Sequence, residues 1–205
     1  MMKMNEARKK TAKYIFYFCV FLLAACGNDD DFYSPKPKGY FRINFPAKSY
    51  TTYDNSCPFI FDIPKYAAVV PDKDAKADPC WLNIVFPIFK ATIHITYKKV
   101  DKNLSAYLED SHELAVKHQV KASGLEEEIV MKDSVKVYGL IYNIEGNAAS
   151  SLQFYLTDST THFLRGSLYF MSRANADSLA PVLGFIKQDI QRMIQSFKWK
   201  RDNKS

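Results

Sequence analysis

The sequence predicts an α+β fold: a mainly antiparallel sheet flanked by two long helices. Three observations carry this. Short runs rich in β-branched and aromatic residues recur between Pro, Gly, Asn, Asp and Ser turns. Two longer stretches, 103–120 and 178–197, repeat apolar residues at spacings of three and four. The order strands, helix, strands, helix, with hairpin-length links, favours antiparallel pairing. A hydrophobic content of 47% with 15% aromatics suits a folded globule, and 205 residues suit one domain with a sizeable core.

The chain opens on Lys3, Arg8, Lys9, Lys10 and Lys13, followed by an uncharged run from Tyr14 to Leu23. Leu23-Ala24-Ala25-Cys26 then reads as a lipobox: small residues precede a cysteine whose thiol accepts a diacylglyceryl group. A run of about ten residues is too short to span a ~30 Å hydrocarbon core, which takes ~20. The alternatives are an uncleaved anchor or a buried N-terminal helix. The order of basic flank, apolar run, small residues and cysteine favours a signal peptide over 1–25 and lipidation of Cys26, with palmitate among the acyl chains. Residues 26–38 form a tether. Asp29-Asp30-Asp31 is a solvated spacer or a sorting signal, since acidic residues after the lipidated cysteine resemble surface-export signals of Bacteroidota lipoproteins. Ser34-Pro35-Lys36-Pro37 continues it as extended chain. A single domain is expected over 39–200, with a charged tail at 201–205.

Within the domain, Tyr40 to Phe45 alternates as a first strand ended by Pro46, and Ser49 to Asn55 reads as loop. Cys57 to Ile63 is a second strand, Tyr66 to Val70 a short third, and 71–79 a polar loop. Trp81 to Phe86 and Ala91 to Tyr97 are strands joined through Pro87–Lys90; Ile93, Ile95 and Tyr97 share one face, Thr92, His94 and Thr96 the other. The first helix runs from Asn103, its expected cap, to about Val120, with Leu104, Tyr107, Leu108, Leu114 and Ala115 as its stripe. Glu126-Glu127-Glu128 reads as a solvated strand end or loop, since three neighbouring side chains do not converge on one ion unaided. A meander follows: Ser134–Glu145, a Gly146-Asn147 turn, then Leu152–Thr157 and Thr161–Met171 around Asp158-Ser159-Thr160. The last helix, Ser178 to Phe197, is capped by Asn175 or Asp177 and has Pro181 near its start. Its apolar face, Leu179, Val182, Leu183, Ile186, Ile190, Met193, Ile194 and Phe197, predicts a core-facing helix; a membrane-surface helix would need a richer basic face than Lys187, Arg192 and Lys198.

Charge excludes one class. The formal net charge is +6, but removing the five Lys/Arg and one Glu of residues 1–25 leaves 23 basic and 21 acidic side chains, a net of about +2. No nucleic-acid footprint remains. Of four cysteines, Cys19 lies in the leader and Cys26 carries lipid. Cys57 and Cys80 are an even pair in an exported chain, so a disulfide is expected, with two buried free thiols as the alternative. The pair lacks Cys-x-x-Cys spacing for redox catalysis and clustered partners for zinc.

The sequence carries no catalytic constellation, no metal-site pattern and no cofactor motif. Ser151, Asp158 and His162 supply triad residue types but no Gly-x-Ser-x-Gly elbow. His112 and His118, six apart on a helix, point about 240° apart and do not chelate one ion. His94 faces solvent or a hydrogen-bond partner on its strand. Arg165 and Arg173 offer anion contacts, with surface pairing the simpler reading.

The element order resembles the PsbP/Mog1-like sandwich. A more specific likeness runs through the later half: Gly146-Asn147-Ala148-Ala149-Ser150-Ser151, Leu156-Thr157-Asp158-Ser159, His162-Phe163-Leu164-Arg165-Gly166 and Leu168-Tyr169-Phe170, then Asp177-Ser178 with Pro181. Cys57-Pro58-Phe59, Cys80-Trp81, Phe86-Pro87 and Ala91-Thr92-Ile93-His94 extend it towards the N-terminus. This pattern resembles the gliding motility lipoprotein GldD family of Bacteroidota. The resemblance implies a lipid-anchored envelope protein, in the outer membrane, required for gliding and for the linked type IX secretion system. Its partners would be the membrane, through the lipid, and other gliding and secretion proteins. It brings no catalytic residues. The expected role is a non-enzymatic assembly or stability factor. The alternative is a small-ligand or glycan-binding lipoprotein using Tyr155 or Tyr169 as stacking surfaces.

Overall fold

Ala91–Lys99 sits near the middle of the protein because its alternation satisfies two layers at once. Ile93 and Ile95 point into the core while His94 faces solvent. The structure is a computed structural model that describes residues 42–74, 77–117, 122–171 and 176–201. Cys26, the lipobox and tether, Tyr40, Phe41, His118, Arg173 and the cap candidate Asn175 lie outside the described residues, as does the side chain of Asp177.

The described strands are β1 (Tyr50–Asp54), β2 (Phe59–Pro64), β3 (Ala68–Pro71), β4 (Leu82–Phe86), β5 (Ala91–Lys99), β6 (Ala122–Lys132), β7 (Val137–Gly146), β8 (Ser150–Thr157), β9 (His162–Phe170) and β10 (Lys198–Trp199). The helices are α1 (Leu104–Lys117) and α2 (Ala176–Ser196). A seven-stranded sheet has the order β3-β4-β5-β9-β8-β7-β6, and a three-stranded sheet the order β1-β2-β10. Every pairing among these strands is antiparallel. The α+β class holds, with the long helix being α2 at 21 residues and α1 shorter at 14.

The two faces of the large sheet carry different loads. On one, Ile84, Phe86, Ile93, Ile95, Leu164 and Leu168 meet Phe59 and Phe61 of the small sheet and the Ile186–Phe197 stripe of α2. On the other, Tyr142 and Ile144 of β7 pack with Ala115 of α1 and with Ala148. The α2 stripe is buried as its spacing predicts. The α1 stripe is shifted: Ser111 and Ala115 are buried, whereas Leu114 is 39% exposed. Asn103 does not use its side chain as the expected cap. Its Oδ1 accepts the Asp101 N–H at 2.9 Å, and its carbonyl accepts the Tyr107 N–H.

Three expectations about strands fail. Residues 42–49 form no strand, although Ile43 and Phe45 alternate as a strand would. Their apolar side chains are satisfied by packing; Phe45 stacks on Phe185 of α2 at 4.5 Å. The polar run Tyr50–Asp54, read as loop, is instead strand β1, paired along its length with β2. Glu126-Glu127-Glu128 is not a strand end: it lies within the 11-residue β6.

Candidate functional site

The hairpin between β8 and β9 separates the supposed triad. Asp158 Oδ1 accepts the backbone N–H groups of Thr160, Thr161 and His162 at 2.8–3.0 Å, so it organises the turn. Burial works to raise the Asp158 pKa, and these three donors outweigh it and hold the carboxyl below its ordinary range. His162 is buried, with Nδ1 2.8 Å from the Tyr97 hydroxyl and its ring stacked on Trp199. Ser151 belongs to the opposite end of β8, at the bulge between Ser150 and Leu152. At about 3.3 Å per residue, roughly 20 Å of strand keeps it from Asp158. His94 Nδ1 lies 2.6 Å from Asn83 Oδ1, and His112 Nδ1 lies 3.9 Å from Glu127 on the surface. The described residues contain no group of three side chains able to hold a metal ion.

Cys57 and Cys80 are bonded, with Cα atoms 5.6 Å apart. Cys57 leads into β2 and Cys80 leads into β4, where it adopts a left-handed φ of 71°. The bond therefore ties the small sheet to the large one.

A charged cluster sits where no motif was read. Asp189, on the apolar face of α2, is 2% exposed. Lys48 Nζ donates to its Oδ1 at 2.7 Å and to the Phe185 carbonyl at 2.7 Å. The Tyr50 hydroxyl donates to Oδ1 at 2.9 Å and the Tyr66 hydroxyl to Oδ2 at 2.6 Å. Burial first, and then the Asp189 bond, push the Tyr50 pKa up to about 12 and Tyr66 higher still. The carboxylate is satisfied by three donors, Lys48, Tyr50 and Tyr66, so the cluster ties both ends of the 48–66 stretch to α2. A clue was present in the sequence: Asp189 lies three residues after Ile186 and four before Met193, a charge inside an apolar stripe.

The feature best placed to meet another molecule is β6. Among the described residues it is an edge of the large sheet and pairs only with β7. The other edge, β3, has four residues and ends at Pro71, which blunts it. β6 has 11 residues and no proline. Its register places Ile129 opposite Leu140 and Met131 opposite Tyr138, on the sheet face that α1 covers only in part. Ile129 is 72% exposed and Met131 68%. Glu126, Glu127 and Glu128 precede them, all exposed.

Two concavities flank these elements. One, of about 280 Å³, is lined by Ile144, Leu152, Leu179 and Leu183 with Glu126 and Lys187 at its polar margin. The other, of about 500 Å³, runs past His162 and Trp199 with Lys136, Lys198, Lys200 and Arg201. Lys200 is partly neutralised by Asp54 at 2.5 Å. Tyr155 offers no free stacking surface of the kind expected, since its ring lies on Phe163 at 5.8 Å. Tyr169 meets His94 edge-on at 5.6 Å.

The solution structure of cyanobacterial PsbP from Synechocystis sp. PCC 6803 is similar at 13% identity and a TM-score of 0.47, covering 78% of this chain and 97% of that one. No curated protein matches the chain at a significant level. The family model for the gliding motility lipoprotein GldD matches residues 30–199, which takes in every described strand and both helices. On that match the chain belongs to the gliding motility lipoprotein GldD family.

Proposed function

We propose that this envelope lipoprotein is a non-enzymatic assembly or stability factor for the gliding apparatus and the associated type IX secretion system. It is held at the outer membrane by lipid on Cys26, with residues 1–25 removed as a leader. No helix among the described residues is long and apolar enough to cross a membrane.

The observation that carries the reading is the open β6 edge. A long edge with exposed Ile129 and Met131 presents to an added strand backbone groups that no described strand takes. The partner is an extended segment of another gliding or secretion protein. It places Lys or Arg opposite Glu126 to Glu128 and apolar residues beside Ile129 and Met131. Like charges directly opposite would oppose pairing, so an acidic strand is rejected.

The test is the double variant Ile129→Lys/Met131→Lys in cells. Both side chains are exposed, so its unfolding free energy should stay within about 0.5 kcal/mol of wild type. Gliding and secretion should fall while the protein remains in the envelope; in a bacterium that does not glide, secretion is the readout. Undiminished gliding and secretion would sink the edge as the contact surface. Cys26→Ala tests the anchor separately, and full activity from that unlipidated chain would overturn the tethered role. A second reading, binding of a small apolar ligand, draws support from the 280 Å³ cleft beside α2.

A further inference from the structure

On the α1 side of the large sheet, β9 carries Arg165 and Ser167 two residues apart, hence on one face. Gln153 of β8 and His94 of β5 stand directly opposite Ser167, one on each side. Tyr155 and Thr96 flank Arg165 in the same way. The result is a patch of polar side chains in the middle strands of a sheet, where cross-strand neighbours are within reach of each other.

This patch is polar but not internally satisfied. Gln153 is 1% exposed and Ser167 is 2% exposed. Arg165 Nη2 donates to Gln153 Oε1 at 2.5 Å, which engages the amide oxygen. Gln153 Nε2 and Ser167 Oγ are buried without a partner. Among the described residues no carboxylate pairs with Arg165, although burial of its guanidinium is deep enough to lower its pKa. A desolvated cation without a counter-ion and buried donors without acceptors both oppose folding. All three groups offer protons: the guanidinium N–H groups, the amide N–H₂ and the hydroxyl. The complementary ligand is an acceptor with negative charge. Arginine's planar fork fits the two oxygens of such a group. His94, exposed on β5, stands directly opposite Ser167.

We propose that Arg165, Gln153 and Ser167 form an anion-binding site for a carboxylate or phosphate group. It is separate from the β6 edge and does not depend on the assembly role.

The test uses the full lipidated protein in neutral detergent, titrated with inorganic phosphate and with succinate against chloride at matched ionic strength. Thermal unfolding and the side-chain amide resonance of Gln153 are followed. At a hundredfold excess over Kd, a specific anion should raise the midpoint by about 5 °C and shift that resonance. A response to phosphate alone assigns a phosphoryl ligand, and vesicles containing phosphatidylglycerol then separate a lipid headgroup from free phosphate. A response to succinate alone assigns a carboxylate. Arg165→Gln should abolish the response. Ser167→Ala should weaken binding at least tenfold and leave the free protein as stable as wild type or more so, because it removes an unsatisfied hydroxyl. No response to either anion overturns the proposal. So does an equal response in Arg165→Gln, or a Ser167→Ala protein that is less stable yet binds unchanged; if Arg165→Gln does not fold, the Ser167→Ala result decides.

Discussion

Asp189 shows how one side chain can organise a region through charge. Its neutral tyrosine donors are favoured by the fold: Tyr50 ionises near pH 12 when folded and near 10 when unfolded. A raised folded-state pKa means that the bond's stabilisation is complete below pH about 10 and is lost as pH climbs towards 12. Unfolding by urea at pH 8 and at pH 11.5 should therefore show a loss of stability in wild type over this window. Tyr50→Phe should be weaker by about 1–2 kcal/mol at pH 8, as expected for a hydrogen bond to a charged acceptor, and should lose less on going to pH 11.5. Equal alkaline losses in the two proteins would remove Tyr50 from the account. Gly139 makes the same point through space: a Cβ there would meet the Tyr155 carbonyl oxygen at 1.9 Å, so β7 and β8 approach as only glycine allows.

At the scale of elements, the end of α2 is closed by a residue from another strand. Lys132, the last residue of β6, donates from Nζ to the carbonyls of Ile194, Gln195 and Phe197 at 3.1, 2.7 and 2.9 Å. The Ile194 carbonyl also accepts the Phe197 N–H at 3.3 Å, and the last carbonyls of a helix have no intrahelical donor, so a cation there also meets the negative end of the helix dipole. Burial, and then the charge of Lys198, lower the Lys132 pKa. Lys132→Met keeps the aliphatic stem and removes the donors, so it should cost about 1–2 kcal/mol. A shifted denaturant midpoint with an unchanged m-value would show this; an unchanged midpoint would refute the cap. Two elements depart from their local pattern. Ile43 and Phe45 carried a strand's alternation, yet the packing of Ile43 on the core and the stacking of Phe45 on Phe185 of α2 need no strand partner. The three glutamates made this stretch look like a strand end or loop, although an edge strand whose central side chains are exposed can carry charge on both faces.

For the whole molecule, the issue is how two sheets become one body. The small sheet joins segments far apart in sequence: β10 pairs with β2, setting Lys198 against Ile60 and Trp199 against Phe59. The Cys57–Cys80 bond closes the same layer against the large sheet across 23 residues. In the chain-entropy model such a loop contributes roughly 3 kcal/mol. Cys57→Ser/Cys80→Ser should lower the unfolding free energy by that order, and a reducing agent should destabilise wild type but not the double variant. Equal stability in oxidised and reduced wild type would show that the bond does not brace the layers.

What could be read before the fold was known is what local pattern can carry. The alternation of β5, the apolar stripe of α2, the β8–β9 turn at Asp158 and the α+β class were legible because side-chain period and turn chemistry act over a few residues. Membership of the family was legible because its motifs are contiguous runs such as His162 to Gly166. Tertiary structure alone decided the partners. β5 pairs with β9 across the intervening α1, β6, β7 and β8, and Lys48 reaches Asp189 across 141 positions. Arg165 finds Gln153 rather than a surface carboxylate. Which strand lies beside which is set by burial and pairing summed over the whole chain, and that sum has no local signature.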